Sequence, residues 1–273
     1  MTPSRPPSVA VSFDHVDQLE RAEAIAEQLG LPIAKKFNDP RPIHLALHRA
    51  ADGCDERLEL RVVEPGHPLA GGHGVYADLT KLDTTSPAGR SLKTPLLKAV
   101  GIHKQRSGER PNVLDATAGL GEDAWLLAAA GCQVTAIERH PIVHALLADA
   151  LRRARLTAPG VTDRINLLPC AEARDVLRES AASGKRFDVV LLDPMFPGSA
   201  RRKTAERKPM RVLRWLVGDD ADADDLLDLA RKTARQRVVV KRPKHASHLA
   251  GVEPVATHAG KGLRFEVVIP VRD

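Results

Sequence analysis

Two short segments carry the residues best suited to chemistry. The first reads Asp115-Ala-Thr-Ala-Gly119-Leu-Gly121-Glu122-Asp123-Ala124. Gly119, Gly121 and Ala124 fit the spacing G-x-G-x-x-A, in which glycines let the backbone approach a nucleotide-like ligand at a strand-to-helix turn. The second reads Phe187-Asp-Val-Val-Leu-Leu-Asp193-Pro194-Met195-Phe196-Pro197. It is an apolar run that ends in a loop stiffened by two prolines. Pro194 cannot continue a sheet ladder, so the loop begins there.

The charges of the first segment narrow its ligand. A pyrophosphate would sit on the helix N-terminus, where bare N–H groups favour anions. Asp115, Glu122 and Asp123 crowd that place with carboxylates, which repel an anion and attract a cation. S-adenosylmethionine (SAM), with its sulfonium and ammonium groups, suits this turn better than a nicotinamide dinucleotide. Glu122 and Asp123 also complement the dipole of the helix they open. Glu138 follows about 20 residues after the glycines, where an acid binds ribose hydroxyls. Arg139 stands beside it. Ala171 and Glu172 follow the next strand, where a backbone N–H and a carboxylate can read an adenine edge. Glu172 serves equally as a helix-start acid.

In the second segment, the Asp193 carboxylate and the Pro194 carbonyl are acceptors only. Together they can hold the two N–H groups of an exocyclic amine and aim its lone pair at a methyl donor. Phe196 can stack on the base that bears the amine. Orientation for in-line transfer is then the main catalytic device, and no strong general base is needed. The arrangement suits the amine of adenine, guanine or cytosine alike.

The elements that must position these groups follow from periodicity. Asp14 to Leu29 has a helical apolar period ended by Gly30 and Pro32. Ile43, Leu45 and Leu47 alternate, as do Leu58, Leu60 and Val62, and both runs read as strands. Gly74 to Leu79 reads as a further strand. Thr94 to His103 reads as a helix with Pro95 in its first turn. From Asn112 onward strands alternate with helices. Strands fall at Val113–Ala116, Val134–Ile137, Ile165–Leu168, Val189–Leu192 and Val238–Val240. Helices fall at Asp123–Ala130, Pro141–Arg155, Ala171–Ala182 and Asp222–Ala234. Val255–Thr257 and Phe265–Ile269 can pair as a hairpin. Apolar strands alternating with helices imply a mainly parallel sheet covered on both faces, with ligands at the carboxyl ends of the strands.

The net charge of +6 is concentrated. Arg201, Arg202, Lys203, Arg207, Lys208, Arg211 and Arg214 lie in one stretch with Glu206 as its only acid. That stretch alone accounts for the whole excess. An Asp-rich run, Asp219 to Asp228, follows it. A local basic segment in an otherwise balanced chain fits a docking surface for a polyanion; a solvated helix face neutralised by the acidic run is the plainer alternative.

Composition excludes several classes. A chain of 273 residues, 43% hydrophobic and 28% charged, is globular and long enough for a full core. No run approaches the ~20 apolar residues that span a bilayer. Met1–Ala10 lacks the apolar segment of a signal peptide, so we expect a cytoplasmic protein without membrane attachment. Cys54, Cys132 and Cys170 form no close pair, which argues against a disulfide framework or a zinc module; Cys132 and Cys170 read as core thiols. His44 and His48 would lie on one strand face roughly 13 Å apart, too far for one metal, and no metal site is expected. Lys241 and Arg242 follow a strand and suit either an RNA phosphate or a structural ion pair.

The segments LDATAGLGEDA, AIERHPIVHALLADAL, LLDPMFP, MRVLRWLVGDDADADDLLDLA and RVVVKRP, with GRSLKTPLLKAVGI before them, resemble the YhiQ/RsmJ family. These are ribosomal small-subunit RNA guanine-N2 methyltransferases. The resemblance covers roughly Leu69 to Arg242. It implies an α/β chain with the class I (Rossmann-like) methyltransferase fold: a mainly parallel seven-stranded sheet with a C-terminal antiparallel hairpin. Residues 91–273 would form that domain and residues 1–90 a small N-terminal α+β extension. It implies SAM contacts at Glu122, Asp123, Glu138, Arg139, Ala171, Glu172 and Asp193, to which the reading of the glycine turn adds Asp115, Gly119 and Gly121. The loop chemistry above points to catalysis by Asp193, Pro194 and Phe196, and the basic stretch to RNA contacts at Arg201, Arg202, Lys203, Arg207, Lys208, Arg211 and Arg214. The partner would be small-subunit ribosomal RNA or the assembled subunit, with no obligate protein partner. The chain departs from the family in carrying Glu122 where arginine is usual, and Ala171 and Glu172 where small hydroxyl residues are usual. Two other readings compete: transfer to another planar amine, in DNA or protein, and a non-catalytic SAM-binding module in ribosome assembly.

Overall fold

A computed structural model describes residues 7–34, 39–49, 56–102, 108–194, 208–218 and 223–271. In chain order the strands and helices are β1 (Val9–Phe13), α1 (Leu19–Leu29), β2 (Ile43–Arg49), β3 (Glu56–Val62), α2 (Pro95–Val100), β4 (Asn112–Asp115) and α3 (Glu122–Ala129). There follow β5 (Gln133–Ala136), α4 (Pro141–Ala154), α5 (Pro159–Thr162), β6 (Ile165–Leu167), α6 (Ala173–Ala182) and β7 (Phe187–Leu192). The last are α7 (Lys208–Val217), α8 (Ala223–Thr233), β8 (Ala234–Pro243), β9 (Ala256–Ala259) and β10 (Leu263–Val268). They pack as two compact units.

The smaller unit is built on a three-stranded sheet in the order β1-β2-β3, with β1 parallel and β3 antiparallel to β2. Ile43, Leu45, Leu47, Leu58 and Leu60 are buried in it, as their alternation predicts. α1 packs on β1 and ends at Gly30, whose φ of +63° satisfies the left-handed turn a C-terminal cap needs. The segment expected as a strand from Gly74 makes only a single bridge, Val75 to Leu60. Its continuation is a 3-10 turn at Leu79–Lys81.

α4 and α7 belong to this same unit. The Asp149 carboxylate of α4 is buried and accepts the Leu58 N–H at 3.0 Å. It also takes Arg21, Arg152 and Arg153 at 3.2, 2.8 and 2.9 Å. α7 buries Val212, Leu213 and Leu216. Trp215 stacks on His67 with ring centroids 4.3 Å apart, and Lys208 Nζ donates to the carbonyls of Gly71 and His73.

The larger unit is a seven-stranded sheet in the order β6-β5-β4-β7-β8-β10-β9. β6 through β8 run parallel, and β10 is antiparallel to both β8 and β9. This is the expected mainly parallel sheet with its C-terminal hairpin. β8 extends over ten residues where only its apolar centre, Val238–Val240, reads as a strand in sequence. One face buries Val113, Val134, Val189, Leu191, Val239 and Val267 in a single cluster with residues of α2 and α3. α8 packs on β7 and β8 and against α6. α2 starts with the Thr94 hydroxyl accepting the Leu97 N–H and stops at Gly101, φ +92°. Among the described residues, no helix is long and apolar enough to cross a membrane.

Candidate active site

β4, β5, β7 and β8 are parallel neighbours, so their carboxyl ends share one edge of the large sheet. Both sequence motifs begin on that edge. Asp115 ends β4, and the chain then turns through Thr117–Gly121 into α3. Backbone bonds fix the turn: Ala116 N–H donates to the Leu191 carbonyl at 3.0 Å, and Ala118 N–H to that of Ile137 at 2.8 Å. Gly119 and Gly121 have φ of +55° and +83°, a region in which a side chain is strained. A Cβ at Gly119 would point into open space, with the Thr117 carbonyl oxygen nearest at 4.0 Å. The absence of a side chain there keeps a cradle clear.

Glu138 lies just past β5 and is buried. Its Oε2 accepts the Gly119 N–H at 2.9 Å and its Oε1 the His140 N–H at 2.7 Å. The carboxylate therefore braces the glycine turn. Arg139 Nη1 stands 3.8 Å from Glu172 Oε2, and Ala171 N–H donates to the Glu138 carbonyl at 3.4 Å. The four residues expected at the ribose and adenine end thus come together. Glu172 is the residue that precedes α6, and its side chain makes no capping bond. Cys170, expected in the core, is exposed: it leaves the sheet just after β6, and its Sγ–H donates to the Arg139 carbonyl at 3.2 Å. Glu122 is exposed at the start of α3.

Asp193 follows the last residue of β7, and its N–H donates to Thr117 Oγ1 at 2.6 Å. This bond ties the proline loop to the glycine turn. Thr117 has no special mark in the sequence beyond its place in the motif. The register pairs Leu192 with Val240, so Asp193 and Lys241 emerge side by side. Lys241 Nζ lies 2.7 Å from Asp123 Oδ2 and 3.0 Å from Asp193 Oδ2. Of the two readings open for Lys241, the structure shows the ion pair. Arg242 is buried and donates to the Ser247 carbonyl.

The electrostatics differ from a count of carboxylates. Burial, then the neighbouring Asp123 charge, pushes the Asp115 carboxyl up to about 8, so it is neutral at pH 7. Burial alone would lower the Lys241 ammonium, but the carboxylates of Asp193 and Asp123 more than offset it and hold it charged. Two negative charges therefore share one buried positive charge, and Asp115 adds none. Pro194 is buried at the loop's start. Phe196, Arg201, Arg202, Lys203 and Arg207 lie outside the described residues. Among the described residues, no group of three or more His, Cys, Asp or Glu could hold a metal ion. His48 instead sits 2.7 Å from the Asp14 carboxylate.

A glycine cradle, backbone N–H groups, a buried ribose-type acid and strand-end carboxylates together fit SAM. This sheet order and this edge site define a class I SAM-dependent methyltransferase. Residues 43–270 match the family model described as "Putative SAM-dependent methyltransferase". The chain is 39% identical to Ribosomal RNA small subunit methyltransferase J of Nitrosococcus oceani, over 96% of this chain and 98% of that protein. It is 45% identical to the protein of the same name from Yersinia pestis, over 78% and 80%. A crystal structure of a SAM-dependent methyltransferase from Neisseria gonorrhoeae superposes with a TM-score of 0.67 at 31% identity, covering 96% of each chain. The chain belongs to the ribosomal RNA small subunit methyltransferase J family, and its cofactor is SAM.

Proposed function

We propose that this protein methylates the exocyclic N2 amine of a guanosine in small-subunit ribosomal RNA. The observation that carries the reading is Asp193. It stands at the end of β7, tied through its N–H to the glycine turn, with its Oδ2 on Lys241 and its side chain still 42% exposed. When bound, SAM supplies an electrophilic methyl group. The glycine turn and Glu138 would hold the nucleoside part of the cofactor, with Arg139, Ala171 and Glu172 at its adenine end. The Asp193 carboxylate and the Pro194 carbonyl would accept the two N–H groups of the guanine amine. Phe196 would stack on the ring. The proton released from nitrogen would pass to Asp193 or to water.

Affinity for the RNA would come from the basic stretch, within which α7 carries Lys208, Arg211 and Arg214. Lys208 spends its ammonium on two backbone carbonyls, so Arg211 is the better phosphate ligand of the two. Residues 91–273 would carry the methyl transfer and residues 1–90 would be an accessory extension. A cytoplasmic location fits a ribosomal substrate.

The test is transfer from labelled SAM to ribosomal RNA, assembled small subunits, DNA and bulk protein in parallel, followed by nucleoside digestion. Label should appear in N2-methylguanosine from small-subunit RNA. D193A should lose at least about 100-fold in kcat with its circular dichroism unchanged. Label in another nucleoside or in DNA, or full activity in D193A, would overturn the reading.

A further inference from the structure

We propose that the cavity walled by α2, the start of β8 and the β9–β10 hairpin is a binding site for a phosphate oxyanion, remote from the edge that carries the methyl-transfer motifs. The proposal goes beyond the methyl-transfer reading and does not depend on it. The cavity measures about 310 Å³ and lies wholly within the larger unit. Lys98 of α2 and Arg237 of β8 supply its charge, and Gln236 and His258 also line it. Among the described residues, no Asp or Glu stands in its wall.

Arg237 carries the inference. It pairs with Val189 at the beginning of β7, whereas the motif edge begins beyond Leu192 and Val240. At ~3.3 Å per residue, Arg237 and Lys241 are roughly 13 Å apart along one face of β8. The Arg237 Nη1 donates to the Ala99 carbonyl at 3.2 Å, near the end of α2. Its Nε is buried and has no partner. Gly101, with φ of +92°, gives the guanidinium its seat: a Cβ there would lie 2.9 Å from Cζ.

One carbonyl is a weak counterpart for a full charge. Other enclosed cations of this protein rest on acids: Arg61 on Asp14 and Glu59, and Lys241 on Asp123 and Asp193. Burial lowers the Arg237 guanidinium from its ordinary value, and no carboxylate raises it again. The Lys98 ammonium, on the adjacent helix, makes no hydrogen bond or ion pair among the described residues. Two cations on one concave wall with no acid between them are left uncompensated. An oxyanion with several acceptor oxygens meets both at once: the guanidinium fork matches phosphate geometry, and the ammonium adds a point charge. Capping of α2 accounts for one N–H of Arg237, but for neither Lys98 nor the purely cationic wall.

The experiment is a titration of the full-length protein with inorganic phosphate, followed by calorimetry and by the arginine Nε–H resonances in heteronuclear NMR. Phosphate should bind saturably with a Kd of about 1 mM and should move the Arg237 resonance. K98M should weaken binding about 10-fold, the scale of one lost hydrogen bond to a charged group. R237K, which keeps the charge but loses the fork, should weaken it about 5-fold. A second arm separates the sources of phosphate by measuring RNA affinity against salt in wild type and K98M. If the ligand is a phosphodiester of RNA, K98M lowers RNA affinity and flattens the slope of log affinity against log salt by about 1. Loss of phosphate binding with RNA affinity intact supports the site and assigns it to the free ion. Absence of saturable binding below about 20 mM phosphate would overturn the proposal. So would equal binding by wild type and K98M, which would place the ion elsewhere. Should R237K fold poorly, K98M decides the matter, because the Lys98 side chain holds nothing in place.

Discussion

Replacing Asp115 by Asn should abolish a pH dependence of stability that this one carboxyl imposes. Asp115 is 2% exposed, at the end of β4, and its Oδ1 accepts the Thr117 N–H at 3.3 Å. Burial raises its pKa from 3.8 to about 8. The sign follows from linkage. Below pH 3.8 the carboxyl is protonated in both folded and unfolded chains and favours neither. Between 3.8 and about 8 it stays protonated in the fold but ionises on unfolding, so stability falls as pH rises. The slope of one proton is about 1.4 kcal/mol per pH unit. Carried across that window, the fold loses about 6 kcal/mol through this group relative to acid conditions.

Asn keeps the shape and the acceptor oxygen and does not titrate. Urea denaturation of wild type and D115N at pH 5, 6, 7 and 8 isolates the effect, because titrating groups not coupled to Asp115 cancel in the difference. The difference in unfolding free energy should move in favour of D115N by about 1.4 kcal/mol per pH unit, and flatten above pH 8. A difference that does not vary with pH would refute the argument. It would mean that Asp115 is ionised in the fold and that Lys241 compensates three carboxylates, not two.

Two further perturbations probe the smaller unit and the basic stretch. D149A should destabilise by about 3 kcal/mol in urea, because it leaves the Leu58 N–H and three arginines without their shared buried acceptor; a change below about 1 kcal/mol would show that solvent replaces it freely. Charge reversal of Arg201, Arg202 and Lys203 should weaken binding of small-subunit RNA and flatten the dependence of log affinity on log salt. An unaltered salt slope would mark the stretch as a solvated face.

The fold was legible where the pattern was apolar and periodic. Val189–Leu192 and Val113–Leu114 are continuous apolar runs, and each is a central strand. The polar start of β8, Arg235 to Arg237, was not legible: it lies before the β10 pairing that begins at Val238 and spans the register shift against β7, so Arg235 and Gln236 stay exposed. Gly74–Leu79 alternates like a strand but finds a ladder partner only at Val75. Cys170 illustrates the same limit: an apolar-tolerant residue beside a strand can as well stand just outside it.

The site was legible as two motifs and illegible as one object. Asp123 opens α3 and Asp193 follows β7, and nothing in their spacing says that one ammonium joins them. That depends on strand order. β8 must lie next to β7, and β7 next to β4, before Lys241 can reach both. The carboxylate count that favours a cationic ligand was accordingly too high. Asp115 is neutral and Asp123 is shared with Lys241. The preference for SAM over a pyrophosphate survives for a different reason. What remains at the edge is a carboxylate-rich site in which the Lys241 ammonium is already enclosed between two acids. A pyrophosphate would have to displace those acids from Lys241, whereas a cationic ligand only has to join them.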